Sequence, residues 1–192
     1  DFDWFLNSRN TIKFGASESF KVYSPNVNVV KNTNTLANSD TTIGNIRLRT
    51  FEAATYLEDN IEFSKKCKAN IGIRYNFLKV PDNSYHSLQP RISLRYLFTP
   101  SLSIKAGYGY VTQNLHLLTN SGVGLPTDLW VPATKRIIPE KSHQWVLGVF
   151  KDVDGKLDLS GEGFYKTMNN VIEYKEGASF ANSFQNWEDK VA

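Results

Sequence analysis

Apolar and polar residues alternate along several long stretches of the chain, and this alternation predicts β-strands. In Thr11–Tyr23, for example, Ile12 and Phe14 alternate with polar residues such as Lys13, and Glu18 is the one break in the apolar face. Successive side chains of a strand point to opposite faces, so each stretch has one apolar and one polar face. The predicted strands are Phe2–Leu6, Thr11–Tyr23, Ile46–Phe63, Ala69–Val80, Ile92–Phe98, Leu102–Tyr110, His143–Lys151 and Lys156–Thr167.

The connections between these strands alternate in length. Short turns are predicted at Asn7–Asn10, Ser64–Lys68, Thr99–Pro100 and Val153–Gly155. Longer loops are predicted at Ser24–Asn45, Pro81–Ser87, Asn114–Ser142 and Lys175–Asn186. In an antiparallel up-and-down meander every second connection lies at the same end of the sheet. Short turns at one end and long loops at the other are typical of bacterial outer-membrane barrels.

Two predictions concern the C-terminal part of the chain. Val171–Tyr174 is expected to extend the last hairpin, and Asn186-Trp187-Glu188 is expected to begin a further strand. The fold class is therefore all-β: an antiparallel up-and-down meander of about eight strands, with the connection lengths of a transmembrane β-barrel. Alternation alone does not separate this fold from a soluble secreted β-sandwich with a binding or adhesion role, because a sandwich strand also has one apolar face.

Composition supports a β-rich protein and excludes several other classes. Aromatic residues make up 13% of the 192 residues, which favours strands over helices. The net charge is only +3, so no nucleic-acid partner is indicated. A single cysteine, Cys67, excludes an internal disulfide framework and a cysteine-based zinc site. No run of about 18 apolar residues is present, so no transmembrane helix is predicted.

The sequence contains no catalytic constellation, and we expect neither an enzyme nor a bound cofactor. The three histidines, His86, His116 and His143, are far apart in sequence, and no Gly-x-Ser-x-Gly nucleophile motif occurs. The best functional candidate is the loop Asn114–Ser142, where Trp130 could stack on a sugar or act as an anchor. The candidate ligand contacts in this loop are Asn114, His116, Asn120, Asp128 and Trp130.

Four short runs carry a resemblance to a known family: "PRISLRY", "SLSIKAGYG", "LPTDLWVP" and "GFYKTMNNVIEY". In this order and spacing, the chain from about Thr11 to Trp187 resembles the barrel of TonB-dependent outer-membrane receptors. It looks closest to the branch with an N-terminal carboxypeptidase-regulatory-like domain, to which the SusC-like nutrient importers are related.

The resemblance implies a transport protein in the outer membrane of a Gram-negative bacterium. Such a receptor is a barrel of about 22 strands around a plug domain, and the TonB complex supplies its energy. The implied partners are outer-membrane lipid, TonB, possible surface lipoproteins and an imported ligand, which is a glycan, siderophore, cobalamin or peptide. Residues 1–192 are then expected to form one barrel segment without the plug or the final strands. In isolation such a segment is expected to close into a smaller β-structure or to self-associate through its open edges.

Overall fold

The computed structural model describes residues 1–24, 28–32, 39–43, 47–118, 129–175 and 187–192. Within these ranges it contains twelve strands and one short 3-10 helix at Trp187–Lys190. None of the helical structure in these ranges is long and apolar enough to cross a membrane. The strands are β1 (Phe2–Phe5), β2 (Asn10–Tyr23), β3 (Asn28–Asn32), β4 (Ser39–Ile43), β5 (Leu48–Glu62), β6 (Cys67–Val80), β7 (Asn83–Thr99), β8 (Leu102–Gln113), β9 (Leu115–Leu118), β10 (Leu129–Pro132), β11 (Glu140–Val153) and β12 (Leu157–Asn169).

Eight of these strands form a single antiparallel sheet in the order β1-β2-β5-β6-β7-β8-β11-β12. The predicted all-β meander is therefore confirmed. Two small ribbons, β3–β4 and β9–β10, lie in the connections. The first and last strands of the large sheet do not pair with each other, so the sheet is open. The expectation that the segment closes on itself is thus not met in this structure.

The pairing register places the predicted apolar residues of neighbouring strands on one face, which we call the apolar face. One row across the sheet is apolar or aromatic except for Asp59; it contains, paired in this order, Ile12, Asp59, Ile71, Ile92, Tyr108, Trp145 and Tyr165. These side chains are not buried within the chain: Ile71 is 44% exposed and Ile92 is 47% exposed. A broad exposed apolar face of this kind requires lipid or another apolar partner to cover it.

The opposite face, the polar face, carries hydrogen bonds and ion pairs between neighbouring strands. Asn70 Nδ2 donates to Glu58 Oε1 at 2.6 Å and to Asn60 Oδ1 at 2.7 Å. Lys21 Nζ lies 3.3 Å from Glu52 Oε2. Cross-strand polar pairs of this type stabilise a sheet modestly and leave the face compatible with water. The sheet therefore has the apolar and polar faces of a barrel wall.

All four predicted short turns lie at the same end of the sheet, which we call the turn end. The strands there are joined through residues 6–9, 63–66, 100–101 and 154–156. Side chains help to set the turns: Asn7 Oδ1 accepts from the backbone N–H of Arg9, and Asp152 Oδ1 accepts from that of Gly155. Asp154 and Gly155 both have positive φ, 54° and 65°, as this tight hairpin requires.

The predicted loop Pro81–Ser87 is wrong, because β6 and β7 are joined by a two-residue turn. Val80 pairs with Asn83, so Pro81 and Asp82 alone make the connection. Proline presets φ for the first turn position, and Asp82 has the positive φ of 62° that the second position of a type II turn needs. Polar residues after the turn favoured a loop, yet they pair with β6 and continue the sheet.

Further corrections concern the opposite end, which we call the loop end. The predicted loop Ser24–Asn45 contains the β3–β4 ribbon, and the predicted loop Asn114–Ser142 contains β9 and β10, with β11 beginning at Glu140. Val171–Tyr174 does not extend β12; Tyr174 instead forms an isolated bridge with Val191. Trp187 begins a 3-10 helix rather than a strand. Most of the predicted loop Lys175–Asn186 lies outside the described residues.

Candidate functional site

A small packed unit covers part of the loop end, and we call it the cap. It consists of the β9–β10 hairpin, residues 133–139 and residues 187–191. The cap has its own apolar core, and Leu48, Leu129 and Ile172 pack against that core from its edges. Segments that are far apart in sequence thus meet here. The buried residues of this core are Leu118, Val131, Ile137, Trp187 and Val191.

Specific hydrogen bonds fasten the cap to the large sheet. Tyr85 Oη, from β7, donates to the carbonyl oxygen of Thr134 at 2.6 Å. The backbone N–H of Ala133 donates to the carbonyl oxygen of Asn114 at 2.9 Å. Ala133 is itself buried against Leu78 and Val80 of β6. The cap is therefore docked against β6 and β7 by both polar and apolar contacts.

Asn114 connects β8 of the large sheet to β9 of the cap. Its side-chain Nδ2 donates to Glu52 Oε1 at 2.8 Å, and Glu52 also pairs with Lys21 on the polar face. The asparagine is half-buried and its amide nitrogen is already engaged. Its first role in this conformation is to link the start of the hairpin to β5.

His116 lies in the interior of the cap with no exposed surface. Its Nδ1 lies 3.0 Å from Oε1 of Glu140, which is the first residue of β11. Burial lowers the pKa of His116, and the Glu140 carboxylate and the backbone of Ile138 oppose this shift. Neutral imidazole is therefore the form that the closed cap favours, with the histidine joining the hairpin to β11.

Trp130 projects from the opposite side of the hairpin. It is 51% exposed, whereas its neighbour Val131 is completely buried. The alternation of β10 explains this difference, because adjacent residues of a strand face opposite sides. An exposed indole ring offers a flat apolar surface with one N–H donor. Among the three predicted contacts that the structure describes, Trp130 is thus the side chain most accessible to an external molecule.

The structure describes three of the five predicted contact residues, and these three lie in different parts of the cap. Asn114 and His116 lie at the base and in the interior of the cap, and Trp130 lies on its exposed side. Asn120 and Asp128 fall outside the described residues. Sequence reasoning did not identify Glu140 or Tyr85, since their partners are 24 and 49 residues away. It also missed the turn at Thr134, whose Oγ1 accepts from the backbone N–H groups of Arg136 and Ile137.

The two other histidines lie on the apolar face and contact tyrosine side chains of neighbouring strands. Tyr75 Oη lies 2.6 Å from His86 Nδ1, and Tyr108 Oη lies 2.9 Å from His143 Nδ1. His143 also stacks on Tyr110, with ring centroids 4.6 Å apart. In the part of the chain that the structure describes, no three His, Cys, Asp or Glu side chains gather as a metal site. The rings instead form an aromatic belt, as found where a barrel crosses a membrane interface.

An open antiparallel sheet with an apolar face, tight turns at one end and a packed cap at the other defines a wall segment of an outer-membrane β-barrel. The comparison with protein families gives the specific class. Residues 1–190 match the family described as TonB dependent receptor-like, beta-barrel, and the chain belongs to that family. No curated sequence matches the chain.

Solved structures of the same architecture agree with this assignment at the level of fold. The FrpB iron transporter from Neisseria meningitidis (F3-3 variant) superposes with a TM-score of 0.62 at 12% identity, covering 94% of this chain and 28% of its own. The siderophore receptor PirA from Acinetobacter baumannii superposes with a TM-score of 0.60 at 15% identity, covering 90% of this chain and 26% of its own. The chain therefore spans just over a quarter of the length of these two receptors.

Family membership indicates the location of the chain. TonB-dependent receptors are outer-membrane proteins and are transporters rather than enzymes, in agreement with both predictions. The apolar face is accordingly the face that contacts lipid. The soluble β-sandwich alternative is not favoured by these findings.

Proposed function

We propose that this chain is a wall segment of a receptor that imports a nutrient or chelate across the outer membrane, driven by the TonB complex. The observation that carries the proposal is the family match over residues 1–190, on a sheet with one apolar and one polar face. In this proposal residues 1–192 form a single barrel segment. The plug and the remaining strands belong to other parts of the receptor.

For the imported ligand we keep the classes predicted from the sequence: a glycan, siderophore, cobalamin or peptide. We also propose that the chain belongs to the SusC-like branch, on the basis of the four sequence runs given above. A lipoprotein partner at the cell surface is part of the same proposal.

Within the segment we assign ligand contact first to Trp130. Its half-exposed ring is carried on a hairpin that the buried cap core holds in place. Asn114 and His116 act mainly by holding that hairpin, through Glu52 and Glu140 respectively. Asn120 and Asp128 belong to the same connection and remain proposed contacts.

The test of this assignment is ligand binding by the full-length receptor with Trp130→Ala. We expect the affinity for the imported ligand to fall by about tenfold or more, which corresponds to about 1.4 kcal/mol. The matched control is Trp145→Ala, which removes an indole from the apolar face. Equal binding by the wild type and Trp130→Ala would remove the proposed role of this residue.

The transport proposal itself is tested by energised uptake in intact cells. Disruption of TonB is expected to abolish uptake while binding at the surface persists. Protease treatment of the same cells should cleave within residues 114–142 and leave the turn at residues 64–68 intact until the outer membrane is permeabilised. Cleavage at both ends of the sheet in intact cells would contradict the proposed topology.

A further inference from the structure

The wall of the sheet is open between β7 and β8 near the loop end. The ladder between these strands ends at the pair Arg91–Gly109. Beyond it, β7 continues to Asn83 paired only with β6, and β8 continues to Gln113 paired only with β11. The two strands therefore diverge and leave an opening that backbone hydrogen bonds do not close. We call it the seam.

Three polar side chains bridge the seam in place of the missing ladder. Gln89 Nε2 donates to Ser87 Oγ at 3.0 Å and to Thr112 Oγ1 at 2.7 Å. The two hydroxyl oxygens lie 2.9 Å apart, so one hydroxyl donates to the other. Each hydroxyl has a single hydrogen. One of the two hydrogens is used between them, and the other remains available to an additional acceptor.

A cavity of about 120 Å³, measured as the space open to the centres of water molecules, lies at the seam. One water needs about 10–15 Å³ on this measure, so the cavity can hold several waters or a small molecule. Its lining is mixed. Polar groups from both faces of the sheet meet the apolar side chains Leu78, Ile138 and Pro139. The polar lining includes Asn76, Ser87, Thr112 and Lys141.

Asn76 gives this cavity a specific chemical requirement. The residue is only 5% exposed, and its Oδ1 has no hydrogen-bond partner among the described residues. Its direct neighbours across the sheet do not supply one: Ala54 has no polar side chain, and the Ser87 hydroxyl makes no hydrogen bond to this oxygen. Buried amide oxygens are almost always paired. A molecule bound in the cavity is therefore expected to donate a hydrogen bond to this oxygen.

We propose that the seam binds a neutral hydroxylated group, such as one edge of a sugar ring. A hydroxyl can donate to Asn76 Oδ1 and accept the spare hydrogen of the Ser87–Thr112 pair at the same time. The apolar face of the sugar ring, which presents C–H groups, then packs on Ile138 and Pro139. A carboxylate or phosphate has no hydrogen to donate to Asn76 Oδ1 and would be repelled by that oxygen. A cation would be repelled by Lys141. Trp130 is not among the residues that line this cavity, whereas Asn114 is.

Two sources of such a group are compatible with the position of the seam in the wall. By register, Asn76 and Ser87 lie on the polar face, whereas Lys141 lies on the apolar face that contacts lipid. The sugar can therefore come from a free saccharide or from the headgroup of a glycolipid. The hydrogen-bonding chemistry is the same in both cases, and the experiment is designed to separate them.

The first arm measures glucose binding to the detergent-solubilised full-length receptor by saturation-transfer NMR. The second arm measures binding of the receptor to vesicles of phosphatidylcholine with and without glucosyl diacylglycerol. We expect a signal in at least one arm, reduced at least tenfold by Asn76→Leu. A signal in the second arm alone supports the glycolipid source, and a signal in the first supports a free saccharide.

The controls keep the test decisive if Asn76→Leu fails to fold. Thr112→Val removes the hydroxyl with little change of shape and should reduce the same signal. Ser17→Ala removes a hydroxyl from the polar face of β2, outside the cavity lining, and should leave it unchanged. Two results would overturn the proposal: no binding in either arm, which means that the seam holds water only, or binding that Asn76→Leu and Thr112→Val leave intact.

Discussion

The sheet and the cap of this protein differ in whether their large apolar side chains are exposed or buried within the chain. Along the sheet, large apolar side chains such as Ile73 and Leu147 remain 44% and 58% exposed. In the cap, Leu118 and Val131 are at most 1% exposed and pack against segments distant in sequence. The difference indicates which contacts stabilise each part. The sheet depends on the membrane that covers its apolar face, and the cap depends on its own apolar core.

The same contrast appears in how each part uses polar groups. Asn70 and Glu58 are hydrogen-bonded to each other on the polar face, where both side chains are only partly buried. The cap instead buries His116 completely, next to Glu140. A buried polar pair is more sensitive to change than an exposed one, because water cannot replace a lost partner. Substitutions in the two regions should therefore produce different kinds of defect.

The largest effect is expected from Leu118→Ala, which removes a fully buried side chain from the cap core. Truncation of a buried leucine costs about 2–5 kcal/mol, since it loses apolar contacts and leaves a cavity. The loss should fall on the cap alone. Hydrogen exchange of residues 129–139 in the full-length receptor is expected to accelerate, while exchange in β6 and β11 stays slow.

The matched control for this substitution is Leu117→Ala, one residue earlier on the exposed side of β9, where Leu117 is 37% exposed. It should change exchange in the cap much less. If Leu118→Ala accelerated exchange equally throughout the large sheet, the cap would not be a separate unit and the contrast drawn here would fail.

The next largest effect is expected from Leu94→Arg on the apolar face of β7. An arginine on the lipid-contacting surface costs about 2–4 kcal/mol near the middle of the bilayer. The control is Ser93→Arg, one residue away on the polar face. Denaturant unfolding of the receptor in lipid vesicles should show a lower free energy of unfolding for Leu94→Arg than for Ser93→Arg. Equal values would mean that the two faces are wrongly assigned.

A change of pH should affect the cap and not the sheet. The opened cap exposes His116, which then titrates near its usual pKa of 6.5, whereas burial lowers that pKa in the closed cap. At pH values between these two pKa values, the opened form holds more protons, so closure is favoured less as pH falls. The stabilisation is complete above about pH 6.5 and is lost progressively below it.

The measurement is the rate of protease cleavage within the cap at pH 8 and pH 5, using a protease active at both. Cleavage should be faster at pH 5. His116→Gln should remove most of this dependence, and His86→Gln, at an exposed histidine of the apolar face, should leave it in place. An unchanged pH dependence in His116→Gln would assign the effect to another group.

Much of the sheet was predictable because each strand carries its own signal. The alternation around Ile12, Ile71 and Ile92 assigned these residues to one face, and the pairing register confirms it. Tight turns such as Asp154-Gly155 were also identifiable, since positive φ values favour particular residues. The Pro81–Asp82 turn was missed because the polar start of β7 resembles a loop.

The cap was not predictable in the same way. His116 was noted as a loop residue with a possible ligand contact, yet its partners are Val131 and Glu140, which lie 15 and 24 residues further along. No local period connects such segments. The orphan oxygen of Asn76 is a similar case, because its significance depends on the divergence of β7 and β8.

The sequence by itself determined an all-β meander, the apolar and polar faces of its strands, and the turns at one end, because these depend on neighbours two to four residues apart. Only the tertiary structure decided that the long connection folds back as a cap, that Trp130 is exposed while His116 is buried, and that a seam opens beside Asn76. Those outcomes depend on contacts between distant segments, whose geometry no local pattern encodes.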